Sequence, residues 1–320
     1  MPRTARIDIP GVLYHVIVRG IERRDIFLDD EDRLSFVQRL SSLIEQTNTS
    51  CLAWALIPNH FHLLLRTSDV KLATFMRRLL TGYAVVFNLR HERSGHLFQN
   101  RYKSLVCQED AYLLELVRYI HLNPVSAHIV SSLENLDRYS WCGHAVMMGK
   151  QEMKGQDTDS VLSLFGTTKA KARRQYRAFV ADGITQGRRS DLVGRLAAVG
   201  RDLNGAADSR VLGDSEFAEE IRGREAAVDR IEARTPIAVI AGNTAAACGI
   251  PLRAISAGGR REAIVKARAM TCFLALEEGY SVTHIARYLG MSRNGVMIAA
   301  KRHEPFETAS ANGNLGTYAT

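Results

Sequence analysis

Cys51-Leu52-Ala53-Trp54-Ala55-Leu56-Ile57-Pro58-Asn59-His60-Phe61-His62-Leu63-Leu64-Leu65 places two apolar runs on either side of a Pro-Asn pair. Each run has the length of a strand and Pro-Asn suits a tight turn, so the stretch predicts a hairpin of two central strands. Alternate strand residues face the same way. His60 and His62 therefore share one face, while Phe61 and Leu63 enter the other. Two residues along a strand span roughly 6.6 Å, and imidazoles leaning together from that spacing can both reach one ion at about 2.1 Å. Taken alone, a His-x-His pair more often marks the polar side of a half-buried strand.

Working outward, Leu13–Val18 is rich in β-branched and aromatic residues and reads as another strand. Arg33–Gln46 has helical spacing, with Phe36, Leu40 and Leu43 on one face and acidic residues from Asp29 to Asp32 at its start, where the helix dipole favours them. A second helix is expected over Val70–Leu89 and an extended segment over Leu97–Val106. A third helix follows Asp110, a plausible N-cap, and is expected to end near Asn123, because Pro124 disfavours helical geometry before it. Strand, helix, strand, strand, helix, strand, helix suits an α+β fold: a ferredoxin-like antiparallel sheet with packed helices.

Beyond this region the polar stretch Met147–Ser160 reads as a linker. Thr168–Val180 carries Lys169, Lys171, Arg173, Arg174 and Arg177 and reads as a basic helix, whereas residues 181–225 resist assignment. Helical signal returns over Arg260–Arg302. A long helix is expected over Arg261–Leu276, followed by a shorter one, a turn at Gly290, and a further helix capped by Ser292 with Arg293 and Asn294 at its start. Val282, Ile285, Ala286, Leu289, Val296 and Ile298 would hold this unit together, giving an all-α helix-turn-helix domain whose first residues can face a major groove. The division expected is 1–147, 148–225 and 226–320.

The 320 residues carry a net charge of +8, with 46% apolar and 24% charged residues. That is ordinary for a globular protein apart from the basic balance, which favours polyanionic partners. Five scattered cysteines without a Cys-x-x-Cys pair argue against a disulfide framework or thiolate zinc site. Neither a signal peptide nor a run of ~20 apolar residues is apparent, so a soluble, cytoplasmic, nucleoid-associated protein is expected.

A second motif lies in Arg118-Tyr119-Ile120-His121-Leu122-Asn123-Pro124. Tyr119 and Asn123, four apart, share one helical face, while Leu113, Val117 and Ile120 form an apolar stripe on another. An Asn carbonyl is a hard oxygen donor. With two histidines it leaves positions open for phosphate oxygen and water, which suits Mg²⁺ or Mn²⁺. Alone, the same residues read as a ring covering the helix and an asparagine closing it. Gly95–Lys103 interleaves Phe98 and Tyr102 with Arg101, a pattern for single-strand binding or for a charged edge strand. Arg77 and Arg78 read as a solvated helix face.

Taken together, "GVLYHVIVRG" (11–20), "ALIPNHFHLLL" (55–65), "GHLFQNRYKS" (95–104) and "RYIHLNPVSA" (118–127) resemble the HUH superfamily of single-stranded DNA endonucleases. The resemblance is to its single-tyrosine transposases, especially the REP-associated branch, and covers about residues 6–130. It implies a catalytic domain over 1–147, with His60, His62 and Asn123 as metal ligands and Tyr119 as nucleophile. Tyr112, Tyr102 and Tyr83 are rival tyrosines. The implied chemistry is cleavage and rejoining of single-stranded DNA through a 5′-phosphotyrosine, with Arg101, Lys103 or Arg118 helping to hold DNA or steady the phenolate. Implied partners are single-stranded DNA bearing a hairpin or palindromic repeat, for a monomer or homodimer. The C-terminal region, through its helix order and "SVTHIARYLG" (281–290), is similar to the duplex-binding domain of bacterial replication initiators, although "SRNGVM" (292–297) replaces that family's recognition stretch. Two alternatives stay open: a domesticated DNA-binding regulator with a silent nuclease, and a rolling-circle initiator or relaxase.

Overall fold

The structure, a computed structural model, describes residues 6–187, 189, 192, 208–232 and 234–310. They form two compact units that divide between Ala226 and Ala227.

In the first unit, β1 (Leu13–Arg19), α1 (Asp30–Thr47), β2 (Ser50–Ile57), β3 (His60–Arg66), α2 (Leu72–Arg90), β4 (Lys103–Cys107) and α3 (Glu109–Ser126) follow the expected order. The strands align as β2-β3-β1-β4, each pair antiparallel. A fifth strand, β5 (Val211–Leu212), adds to β4 in parallel, so the sheet is mixed rather than wholly antiparallel. Val106 and Gln108 donate to the carbonyls of Arg210 and Leu212 and cover the β4 edge. This strand comes from the stretch that sequence pattern could not place, because two residues carry no periodicity.

The sheet buries both faces. Tyr14, Val16, Trp54, Leu56, Phe61, Leu63 and Leu65 pack with Phe36, Leu40, Phe75, Leu79 and Tyr83 of α1 and α2. On the opposite face Leu13, Ala53, Ala55, Leu64 and Leu105 meet Leu113, Leu116, Val117 and Ile120 of α3. Alternation along each strand sorts the two sets, and slipping the pairing by one residue would exchange them. At the start of α1 the Asp29 side chain accepts from Asp32 N, a cap worth about 1 kcal/mol.

Three expected details change. Asp110 lies inside the first turn of α3, whose N-cap is Gln108. The helix also runs through Pro124 to Ser126. Proline has no N–H to offer the carbonyl of Ile120 four residues back. The Asn123 side-chain amide stands in for it, donating from Nδ2 to Tyr119 O at 2.9 Å and to Ile120 O at 3.4 Å. The expected extended run over Leu97–Val106 shortens to β4, with one isolated bridge between Gly20 and Phe98.

Residues 147–160 do not form a linker. After α4 (Leu133–Leu136), the chain lies along β2: Leu56 N donates to Trp141 O at 2.9 Å and Asp157 N to Cys51 O at 2.8 Å. Met153 is buried, and Gln156 receives Trp54 Nε1–H at 2.8 Å while donating to Gly143 O at 3.1 Å. The polar composition reflects residues that satisfy an exposed sheet edge. Helices α5 (Gly143–Met147), α6 (Thr158–Leu162) and α7 (Lys169–Gly183) follow, the last placing Ala172, Tyr176 and Val180 against the α3-side core. Helix α8 (Ser215–Glu232) sends Ile221 into the α1–α2 side.

The second unit, taken by itself, comprises α9 (Ile237–Ala247), α10 (Leu252–Ala257), α11 (Glu262–Glu277), α12 (Val282–Leu289) and α13 (Arg293–Ser310). Ile240, Ala241, Ile255, Cys272, Ile285, Leu289 and Val296 form its core. Gly290, at φ +60°, makes the left-handed turn after α12. The Ser292 hydroxyl then accepts from Gly295 N at 3.0 Å, capping α13 as expected. Arg268 donates to the carbonyls of Ile255 and Leu289, satisfying the ends of α10 and α12 together. Ile298, expected in this core, is 54% exposed instead. It lies two residues after buried Val296, about 200° further round the helix. Among the described residues no helix is long and apolar enough to cross a membrane.

Candidate active site

One face of the sheet carries His15 and Arg19 from β1, His60 and His62 from β3, and Lys103 from β4. The register pairs Arg19 with His60 and Ile17 with both His62 and Lys103. Helix α3 crosses this face and brings Tyr119 down beside the histidines. The His60 and His62 rings stand 5.3 Å apart, and the Tyr119 ring meets His62 edge-on at 5.7 Å and His15 at 5.9 Å. Asn123, one turn along α3, lines the same cleft of about 2850 Å³. His60, His62 and Tyr119, from two distant motifs, thus meet in one place, with Asn123 in the lining of the same cleft.

His62 is buried and His60 half-buried. Burial pushes the His60 imidazole down to about 4, with Arg19 adding to the effect. The same burial pushes His15 to about 4 and His62 well below its ordinary range, His15 and His60 contributing to the latter. All three rings are therefore neutral at pH 7, the form in which imidazole nitrogen donates to a metal. Two nitrogens are already engaged: His60 Nδ1 lies 2.7 Å from Asn59 Oδ1, and His62 Nδ1 lies 3.0 Å from His15 Nε2.

His15 was missed by motif reasoning. Its signal lay in the β1 alternation, which sets His15, Ile17 and Arg19 on one face, in a strand otherwise apolar until its end. His15 opposes Leu64, so His62 is its diagonal neighbour across the strand pair, within reach of a ring.

The basic residues divide. Arg101 and Lys103 are exposed and line the cleft. Arg19, Arg23 and Arg77 line it too, so Arg77 serves this wall as well as the helix surface. Arg118 is committed within the protein. It is 7% exposed, donates from Nη2 to both carboxylate oxygens of Glu115 at 2.7 and 2.6 Å, and lies 4.3 Å over the Phe179 ring. That arrangement ties α3 to α7, while Arg118 also lines the cleft beside Tyr119. The aromatics read as stacking platforms, Phe98 and Tyr102, line the cleft but also have partners within the protein. Tyr102 is buried beneath the Arg6 guanidinium at 4.5 Å, and Phe98 packs on the α1–α2 core.

The rival tyrosines separate clearly. Tyr83 is buried, its hydroxyl donating to Ile26 O at 2.5 Å. Burial raises the Tyr102 hydroxyl to about 12. Tyr112 packs against the α3-side core, outside the cleft lining. Only Tyr119 among these four lies beside the histidine pair. In the second unit, Arg293 and Asn294 are exposed in the first turn of α13.

Residues 9–123 match the family model described as "Transposase IS200 like". A solved REP-associated tyrosine transposase bound to a REP hairpin is 17% identical; the match covers 49% of this chain and 93% of that one, with a TM-score of 0.39. A Deinococcus radiodurans structure assigned as a transposase is 19% identical, over 36% of this chain and 93% of that one, with a TM-score of 0.27. No curated protein matches the chain. The matched segment, about a third of the chain, begins before β1 and ends at Asn123, taking in the His-x-His strand and the tyrosine helix, and in these residues the chain matches the single-tyrosine HUH transposases of the IS200-like kind.

Proposed function

We propose that this chain is a DNA strand transferase that cleaves and rejoins single-stranded DNA through Tyr119. The observation that carries the reading is the Tyr119 ring edge-on to His62 at 5.7 Å, in a cleft shared with His60, Asn123 and exposed cationic side chains. In the step envisaged, the Tyr119 oxygen gives up its proton and bonds to phosphorus. The bond from phosphorus to the 3′-oxygen breaks, and that oxygen leaves as a 3′-hydroxyl on taking up a proton. The 5′-phosphate stays on the tyrosine, which conserves a phosphodiester for rejoining.

His60, His62 and Asn123 suit a divalent ion. Both imidazoles are neutral, and their Nδ1 atoms are engaged elsewhere, which leaves each Nε2. Since Asn123 Nδ2 faces two carbonyls, its Oδ1 lies on the opposite edge of the amide, a hard donor of the kind Mg²⁺ or Mn²⁺ prefers. Such an ion, when bound, would polarise a non-bridging phosphate oxygen and offset charge in the transition state. Arg101 and Lys103, exposed on the cleft wall, would follow the DNA backbone.

The substrate class proposed is single-stranded DNA with a hairpin or palindromic repeat, in keeping with the transposase family. For the second unit we propose duplex binding through α13, whose capped start exposes Arg293 and Asn294 after a glycine turn.

The test is a covalent adduct with labelled hairpin-bearing single-stranded DNA and Mg²⁺ or Mn²⁺, resolved on a denaturing gel. Loss of the adduct in Tyr119→Phe and His62→Ala, with retention in Tyr112→Phe, supports the reading. Tight DNA binding with no adduct in the parent refutes it and favours a regulator with a silent nuclease.

A further inference from the structure

Each histidine of the pair is held through Nδ1 by a side chain that itself ends on a backbone carbonyl. His15 Nδ1 lies 3.3 Å from Leu192 O, and a carbonyl can only accept, so Nδ1 carries the hydrogen. In a neutral ring the other nitrogen, His15 Nε2, is then an acceptor. It sits 3.0 Å from His62 Nδ1, which must donate to it. His62 therefore carries its hydrogen on Nδ1 and a bare lone pair on Nε2. The second relay has the same logic. Asn59 Nδ2 donates to Arg23 O at 3.2 Å, which fixes the amide orientation and turns Oδ1 to His60 Nδ1 at 2.7 Å. That oxygen can only accept, so His60 also carries its hydrogen on Nδ1.

We infer that His15 and Asn59 are positioning residues that lock His62 and His60 as Nδ1–H tautomers, each presenting Nε2 to a metal ion. This rests on the reading of His60 and His62 as ligands, and extends it to two residues outside the proposed ligand set. The advantage is physical. An unconstrained imidazole divides between two tautomers, and one of them points a hydrogen where a cation must sit. Partners that hold the second nitrogen of a ligating histidine fix its tautomer, orient its ring and raise its basicity. Here the two holders come from different elements, β1 and the β2–β3 turn, so each ring is oriented from its own side.

The experiment uses the full chain without DNA. The ¹⁵N spectrum of the imidazoles in the metal-free protein, assigned by single histidine substitutions, reads the tautomers directly. His60 and His62 are expected with hydrogen on Nδ1 and none on Nε2; an Nε2–H signal from either ring overturns the inference. Mn²⁺ is then titrated and free ion followed by its electron paramagnetic resonance signal. His15→Phe keeps the ring volume but removes the acceptor, and Asn59→Ala removes the other. Each is expected to weaken Mn²⁺ binding roughly 10–100-fold. His15→Gln, whose amide oxygen can stand where Nε2 stood, is expected to recover most of the loss. Parent-like Mn²⁺ affinity in a folded His15→Phe protein overturns the inference, as does failure of Gln to rescue while Phe weakens. Failure of the ligand reading is distinguishable: the parent would then show both Nδ1–H tautomers yet take up no Mn²⁺, supporting the lock and refuting the metal site.

Discussion

Tyr176→Phe removes a single oxygen from the buried wall behind the tyrosine helix. Tyr176 on α7 is fully buried, its hydroxyl 2.5 Å from His121 Nδ1 and 3.2 Å from His144 Nδ1. His144 Nε2 lies 2.9 Å from Asp137 Oδ1, so it is the donor there. Burial holds His144 below its ordinary range, and its Nδ1 in the neutral ring is an acceptor. The Tyr176 hydroxyl thus donates to His144 and accepts from His121 Nδ1–H. Phenylalanine would strand a donor on one histidine and an acceptor on the other. His121 cannot escape by changing tautomer, because its buried Nε2 has no hydrogen-bond partner either. An orphaned buried polar group costs about 1–3 kcal/mol. Two such groups, not fully additive, give an expected loss of about 2–4 kcal/mol. Urea unfolding followed by tryptophan fluorescence suits the measurement, since both tryptophans, Trp54 and Trp141, belong to the first unit. An unchanged slope with a midpoint shift worth less than ~0.5 kcal/mol would refute the proton order assigned here.

Three further outcomes are expected. In metal-free protein the first unit should lose stability as pH falls below 6.5, the ordinary histidine value, toward about 4, the folded value for His15; His144 shifts in the same direction. Their folded values are depressed, so the unfolded chain binds protons first, and the contribution present above that window is lost within it; urea midpoints across the window check this, and a flat profile contradicts it. Gln156→Ala strips the partner from Trp54 Nε1 and the donor from Gly143 O, and should cost about 1–3 kcal/mol in the same assay. A cost near zero there would mean that the 147–160 stretch does not hold the β2 edge. Ser292→Ala removes the α13 cap and should cost about 1 kcal/mol, read as faster amide hydrogen exchange in the first turn of α13 with the first unit unchanged.

The strands and helices of the first 126 residues were legible because each carries a local period. The two-residue alternation of β3 put Phe61 and Leu63 inward and His60 and His62 on the other face, and the Tyr119–Asn123 spacing put both on one side of α3. The glycine turn and serine cap before α13 were equally local signals. What sequence could not show depended on partners remote along the chain. The 147–160 stretch looked like a linker because its polar groups are satisfied by the β2 edge roughly a hundred residues earlier, and β5 was too short to have a pattern. Pro124 was expected to end α3, yet the Asn123 amide supplies the donor that proline lacks. Arg118 looked available until Glu115 and Phe179 were seen to hold it. His15, one unremarked residue of β1, gained its meaning only when sheet register set it diagonally against His62. Local periodicity decides which face a side chain takes, because it follows from backbone geometry alone; which groups meet on that face is decided by tertiary packing, because hydrogen bonds and burial depend on distances that no spacing along the chain encodes.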